Sequence, residues 1–292
     1  MTKKYFAYYN KNENENVEIK PCDFLFVPEI FSNVLAQTKK LPCKRVVLVQ
    51  NYNHITEFMP VSQTLDGLGI IDAITTSKFQ SNKLREYFPM VRTQEVSPSI
   101  RGVFRNSDAP RKLIINIIAK EQSDANRIVK PFYWKNPIYR WVSFRDLRGL
   151  PNDAMAEALR EAAITIWVDD KTDFGTTLLE AVRCGGLVLA KIPDTPIEWM
   201  MDGDNLTDSI LWFNDLDSAS DILASVVNSW ITDKVPAEIY EKQSKFDNYF
   251  TEEVQVKEII EVYEKNIIEK RLKDFKETKV DVENNVIKSK NE

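Results

Sequence analysis

The chain has 292 residues, of which 43% are hydrophobic and 28% charged, with a formal net charge of −5. That balance fits a globular chain of one large or two ordinary domains and gives no overall basic field for nucleic acid. One histidine, three cysteines without a C-x-x-C pair and only 8 glycines disfavour multi-histidine zinc sites, disulfide frames and cysteine-rich metal sites.

Short apolar runs alternate with helical patterns along the chain. Tyr5 to Tyr9 is a first strand candidate, followed by the polar loop KNENENVEIK at 11–20. Phe24 to Val27 reads as a buried-type strand, 30–39 as a short helix closed by Pro42, and RVVLVQ at 45–50 as the strongest strand of this half. IIDAITTS at 70–77 is a further strand, and a helix runs from Lys78 to Tyr87, where Phe88-Pro89 stops it. Residues 92–112 are polar with two prolines and read as a linker. A second alternating block then begins: LIINIIA at 113–119 as a strand, a helix from Asp124 to Trp134, a strand at Tyr139 to Val142, and a helix from Asn152 to Ala163 capped by Asn152 or Asp153. ITIWV at 164–168 is a strand, Thr176 to Arg183 a helix and LVLAKI at 187–192 a strand. The chain is mostly helical after Asp217, with an amphipathic helix over about 252–276 and a charged tail.

This β–α alternation predicts an α/β protein whose parallel sheets carry helices on their faces. It divides into a short first lobe over 1–105, a second lobe over 106–248, and a crossing helix with tail over 249–292. Neither G-x-G-x-x-G nor a Walker A loop occurs, which removes most support for the common dinucleotide and phosphate-loop enzymes. No apolar run reaches the roughly 18 residues of a membrane span. The N-terminal MTKKYFAYYN lacks the apolar core of a signal peptide, so cytoplasmic localisation is the expectation.

Ligands of open parallel sheets sit outside the carboxyl ends of the strands, so the residues directly after strands matter most. In the first lobe these are Gln50, Asn51 and Tyr52, with His54 close behind, and they are the candidates for the acceptor side. In the second lobe the informative stretch is ITIWVDDKTDFGTTLLEAVRCGGLVLAKIPDTPIEW at 164–198. A buried strand leads into an acidic loop, then Phe174-Gly175, then a helix from Thr176. The amides of Thr176 and Thr177 stand unpaired at the helix start and, with the helix dipole, suit a diphosphate. Glu180, one turn on, is placed to reach a hydroxyl beside it.

The pattern D-F-G-x-x-L-L-E-A-x-x-C-G over 173–185 resembles the donor-site motif of retaining GT-B glycosyltransferases, the glycosyltransferase family 4-like group. The resemblance is strongest over about 110–200, with weaker echoes at VPEI (27–30), LVQNY (48–52) and TTSKFQSNKLREYFP (75–89). It implies a GT-B fold of two Rossmann-like lobes with a C-terminal helical segment. The implied activity is transfer of a sugar from a UDP-, GDP- or ADP-linked donor to an acceptor hydroxyl, with no metal or other cofactor. It also implies roles. Glu180 matches the glutamate on the ribose hydroxyls; Gly175, Thr176 and Thr177 match the segment on the diphosphate and sugar; Lys120 falls where a basic pair faces the leaving diphosphate. There the released charge needs a fixed cation and helix-end amides. The chain departs from the motif at two places. Thr172 stands where the first acidic residue falls, so that either Asp173 substitutes or the sugar-contacting acid is lost, and Ala119 precedes Lys120, leaving Arg127 or Lys130 for the second charge. Two rival readings follow: a non-catalytic GT-B-like interaction module, and a glycosyltransferase acting on a modified DNA base. Sugar, acceptor and oligomeric state have no signature in the sequence.

Overall fold

The structure, a computed structural model, describes residues 19–264 apart from Cys22, Asp108, Asp170, Thr172, Asp173, Tyr249 and Tyr263. The expected strand at Tyr5–Tyr9, the site candidates Thr172 and Asp173, and the chain after Glu264 lie outside the described residues. The chain divides into two compact units, one ending at Glu95 and one beginning at Val96.

In the first unit four parallel strands lie in sequential order: β1 (Phe24–Pro28), β2 (Lys44–Val49), β3 (Asp72–Thr75) and β4 (Arg92–Glu95). Parallel neighbours need crossovers, and these carry α1 (Ser32–Gln37), α2 (Tyr52–Phe58) and α3 (Lys78–Tyr87). Burial on both faces makes β2 a nearly continuous apolar run. Val27, Leu35, Val47, Ile55, Ile70 and Leu84 share one core. Each such side chain contributes about 1.5–3 kcal/mol when taken from water. The buried Arg45 closes the far end by donating to the carbonyls of Leu35 and Leu68, and burial pushes its pKa down.

The second unit has a five-stranded parallel sheet in the order β11–β8–β7–β5–β6. Its strands are β5 (Lys112–Ala119), β6 (Ser143–Asp146), β7 (Ala162–Val168), β8 (Leu187–Lys191) and β11 (Leu211–Phe213), with a small antiparallel pair, β9 (Met201–Asp202) and β10 (Asn205–Leu206), between the last two. The first strand of the unit is flanked by the second on one side and the third on the other. The chain therefore reverses direction across the sheet between β5 and β7, the topological switch point at which doubly wound sheets open a crevice. All seven residues of β7 are buried. The helices are α4 (Gln122–Lys135), α5 (Asn152–Glu161), α6 (Thr176–Arg183), α7 (Leu216–Ile231), α8 (Ala237–Ser244) and α9 (Glu252–Glu261). Ile128 and Phe132 of α4 and Leu223 and Val227 of α7 cover the core that Ile117, Ile166 and Leu189 build from the sheet.

Several expectations are corrected. Residues 92–112 are not a linker: Arg92–Glu95 form β4, where Arg92 pairs with Asp72 at 2.7 Å across to β3. The boundary at 105 moves back to 95, because Ile100 donates its amide to the Phe250 carbonyl (2.6 Å), Ser97 its amide to Glu258 (2.8 Å), and Arg160 its guanidinium to the Val103 carbonyl (2.7 Å), all within the second unit. These bonds also tie α9 to the second unit. The strand expected at Tyr139–Val142 lies at Ser143–Asp146. Pro137 instead opens a 3₁₀ turn through Tyr139, and only then does the chain extend. Pro151, not Asn152 or Asp153, is the N-cap of α5, and no side chain caps it. The helix α2 and strands β9 to β11 were not expected. No helix among the described residues is long and apolar enough to cross a membrane.

Candidate functional site

The second sheet sets the stage. Lys120 directly follows β5 and Asp169 directly follows β7, and Ala119 sits opposite Val168 in the register. The two residues therefore stand side by side just past the switch point, where Lys120 Nζ lies 2.9 Å from Asp169 Oδ2. Lys120, read from the sequence as a contact to the leaving diphosphate, is one leg of an ion pair; its side chain is 65% exposed and can still meet a second anion.

The turn from β7 into α6 is held from beneath by aromatic side chains. Phe174 is buried, its ring edge-on to Phe250 at 5.4 Å and tilted against Trp199. Trp199 Nε1 donates to the Phe174 carbonyl at 2.7 Å. Gly175 is the N-cap of α6 at φ 71°, the left-handed region that an L side chain enters only at a cost. A Cβ there would meet Met200 Cε at 2.7 Å. The glycine thus serves the turn and its packing on Met200, a reason the sequence reading did not hold.

Among the described residues no side chain caps α6, and no acidic residue lies in its first turn. Each other described helix of the second unit has one or the other: Asp124 in α4, Asp153 in α5, Asp215 as cap of α7, Glu238 in α8 and Thr251 as cap of α9. Among the described residues, then, nothing but the backbone meets the first amides and the positive dipole end of α6. Thr177 is anchored to the core strand, its hydroxyl accepting from Trp167 Nε1 at 3.0 Å. Thr176 is half-buried beside it. The carboxyl of Glu180, one turn further, has no hydrogen-bond partner among the described residues. Burial raises its carboxyl to about 7, against a smaller opposing effect of Arg101.

Arg127 does not join this group. It pairs with Asp217 at 3.1 Å on an exposed surface, joining α4 to the first turn of α7. Lys130 is exposed on the same helix.

The acceptor-side candidates belong to the first unit, at the carboxyl ends of β1 and β2. Gln50 is exposed, and its carbonyl accepts from Gln80 Nε2 at 3.0 Å. Asn51 caps α2 through its side chain, which accepts from the Asn53 amide. Tyr52 stacks on Tyr87 with ring centroids 6.1 Å apart. His54 Nδ1 lies 3.0 Å from Glu29 Oε1, which also accepts the Asn51 amide. Sequence reasoning missed Glu29. The available signal was an acid directly after the apolar strand in VPEI.

Two Rossmann-like units with parallel sheets and covering helices make this an α/β chain of the GT-B glycosyltransferase fold. No protein-family model matches it. The chain is 23% identical over 207 residues to an α-1,6-glucosyltransferase of Actinobacillus pleuropneumoniae serotype 7 (strain AP76), a match covering 65% of this chain and 62% of that protein. The crystal structure of the pneumococcal O-GlcNAc transferase GtfA with UDP and GlcNAc superposes with a TM-score of 0.55 at 14% identity, over 79% of this chain and 54% of that one. Sucrose-phosphate synthase from Thermosynechococcus elongatus superposes with a TM-score of 0.60 at 10% identity, over 90% and 76%. The chain thus spans less than two thirds of the glucosyltransferase and little more than half of GtfA.

Proposed function

We propose that this chain is a glycosyltransferase that moves a sugar from a nucleoside diphosphate to an acceptor hydroxyl with retention of anomeric configuration. The observation that carries the reading is the start of α6 at the switch point of the second sheet, uncapped by any side chain among the described residues, with a cation on one side and a carboxylate one turn beyond. In this reading the amides of Thr176 and Thr177 and the ammonium of Lys120 hold the diphosphate and stabilise the charge it gains as the sugar–phosphate bond breaks. Glu180 accepts hydrogen bonds from the ribose hydroxyls, Asp173 contacts the sugar, and no metal takes part. Residues Gln50, Asn51, Tyr52 and His54 receive the acceptor. The similarity to an α-1,6-glucosyltransferase supports the same class of reaction.

Isothermal titration with UDP, GDP and ADP tests the donor site. We expect saturable binding of at least one, lost in a folded Glu180→Ala variant; a folded protein that binds none of them overturns the reading. The anomer formed from the preferred donor, read by proton NMR, decides retention. The departures at Thr172 and Ala119, with the pairing of Lys120 to Asp169, favour a non-catalytic module, and sugar transfer above background excludes that.

A further inference from the structure

We propose that Glu29 is a positioning residue that fixes the His54 ring so that its Nε2 accepts a hydrogen bond from a hydroxyl of a bound saccharide or polyol. The proposal deepens the acceptor half of the proposed function and rests on it. Glu29 directly follows β1. Its amide donates to the Leu48 carbonyl at 3.0 Å, so the neighbouring strand β2 locks its backbone. Its side chain is 1% exposed. One oxygen, Oε1, collects the Asn51 amide and His54 Nδ1, each at 3.0 Å. The other, Oε2, is buried without a partner among the described residues.

A buried carboxylate with an unmet oxygen is poor value for stability, since an apolar side chain of similar size avoids the desolvation cost. What this carboxylate does is fix a ring. Oε1 accepts, so Nδ1 of His54 carries the proton that fills the 3.0 Å contact, and the remaining nitrogen is left to act as acceptor. His54 sits in the first turn of α2, its ring edge-on to Phe58 at 5.7 Å, and its side chain is 38% exposed. Nε2 has no partner among the described residues. A bare imidazole nitrogen backed by a buried carboxylate suits a neutral donor such as a sugar hydroxyl and disfavours a phosphate. That chemistry is the complement of the α6 start, where amides and a cation favour anions.

His54 is the only histidine of the chain, so its two ring nitrogens give one unambiguous set of ¹⁵N resonances. Long-range ¹H–¹⁵N spectra at neutral pH are expected to show Nδ1 protonated and Nε2 bare. Glu29→Gln keeps an accepting oxygen and should preserve that pattern, whereas Glu29→Leu should transfer the proton to Nε2. A proton on Nε2 in the wild-type protein overturns the proposal, and so does an unchanged pattern in Glu29→Leu. If Glu29→Leu fails to fold, the wild-type and Glu29→Gln spectra still decide. Titration with glucose and with maltotriose should then shift the Nε2 resonance, with affinity about tenfold weaker in Glu29→Leu, as expected for one lost hydrogen bond. No shift with either sugar overturns the ligand role. UDP added to the same sample separates the two readings: absent nucleotide binding with the His54 pattern intact counts against the donor site alone.

Discussion

The carboxyl ends of the two sheets solve the same structural problem in opposite ways. In the first unit the helices after β2 and β3 are closed by the chain's own side chains: Asn51 accepts from the Asn53 amide and Ser77 from the Gln80 amide. In the second unit the helix after β7 starts on a left-handed glycine and has no side-chain cap among the described residues. The carboxylates differ as well. Glu29 is buried and already holds two donors, whereas Glu180 is partly buried and holds none among the described residues. A parallel α/β unit is thus not an anion site by virtue of its fold. The difference in capping between α2 or α3 and α6 is what the proposed donor site rests on.

The largest expected effect breaks the open helix start. Gly175→Val forces a β-branched residue to φ 71° and drives its Cβ into Met200. We expect a loss of roughly 3 kcal/mol from strain and overpacking together, and with it nucleotide binding. Gly102→Ala is the control, because a Cβ there meets nothing within 4 Å. Its melting temperature should stay close to wild type in the same scan.

Next is Glu180. Removing its charge in Glu180→Gln should weaken nucleotide binding by about tenfold or more, the scale of a hydrogen bond to a charged group. Its pH dependence carries a sign. The carboxyl is held up near 7 by burial, so below that value the folded protein carries the protonated acid, which accepts ribose hydroxyls poorly. Affinity measured from pH 6 to 8 should therefore rise with pH and level off, and Glu180→Gln should flatten the curve. The stability effect runs the other way: a raised carboxyl favours the folded state at low pH, and this contribution is lost as pH climbs through 7. Stability that falls while affinity rises over one pH window would be a joint signature of this residue.

The third change tests the closed helix start. Asn51→Ala removes the cap of α2 and should cost about 1 kcal/mol in the first unit. It should leave nucleotide affinity untouched, since the residues proposed for the donor site all belong to the second unit. A drop in UDP affinity in this variant would undo the separation of roles.

How much of this was legible in the sequence depended on how local the cause was. Helices α3 and α6 kept the bounds read from the sequence because their starts and stops are written in adjacent residues: Ser77 before one, Phe174-Gly175 before the other, and Phe88-Pro89 after α3. The strands β4 and β6 were misread because their evidence is distant. β4 is a short polar strand recognisable only through its partner β3 and the Arg92–Asp72 pair, and the place where β6 begins depends on a proline turn before it. The site divides in the same way. Thr176, Thr177 and Glu180 form one contiguous pattern and were legible. Glu29 acquires meaning only from His54, far along the chain, and the pairing of Lys120 with Asp169 exists only because β5 and β7 are neighbours.

The smallest expected effects sharpen that last point, because two of the exposed cations paired with an aspartate, Arg127 and Lys120, were both read from the sequence as candidates for the diphosphate. Arg127 and Asp217 are 54% and 79% exposed, a geometry in which solvent screening leaves little net energy. Arg127→Ala should change stability by less than about 0.5 kcal/mol and leave UDP affinity alone. Lys120 is exposed too, but Asp169 beside it is 16% exposed and both sit at the switch point. Lys120→Met should weaken UDP binding about threefold and reduce its salt dependence, because one fixed charge on the diphosphate is gone. If the two variants behaved alike, position at the sheet's switch point would carry no weight, and the Lys120–Asp169 pair would be a surface contact like that of Arg127.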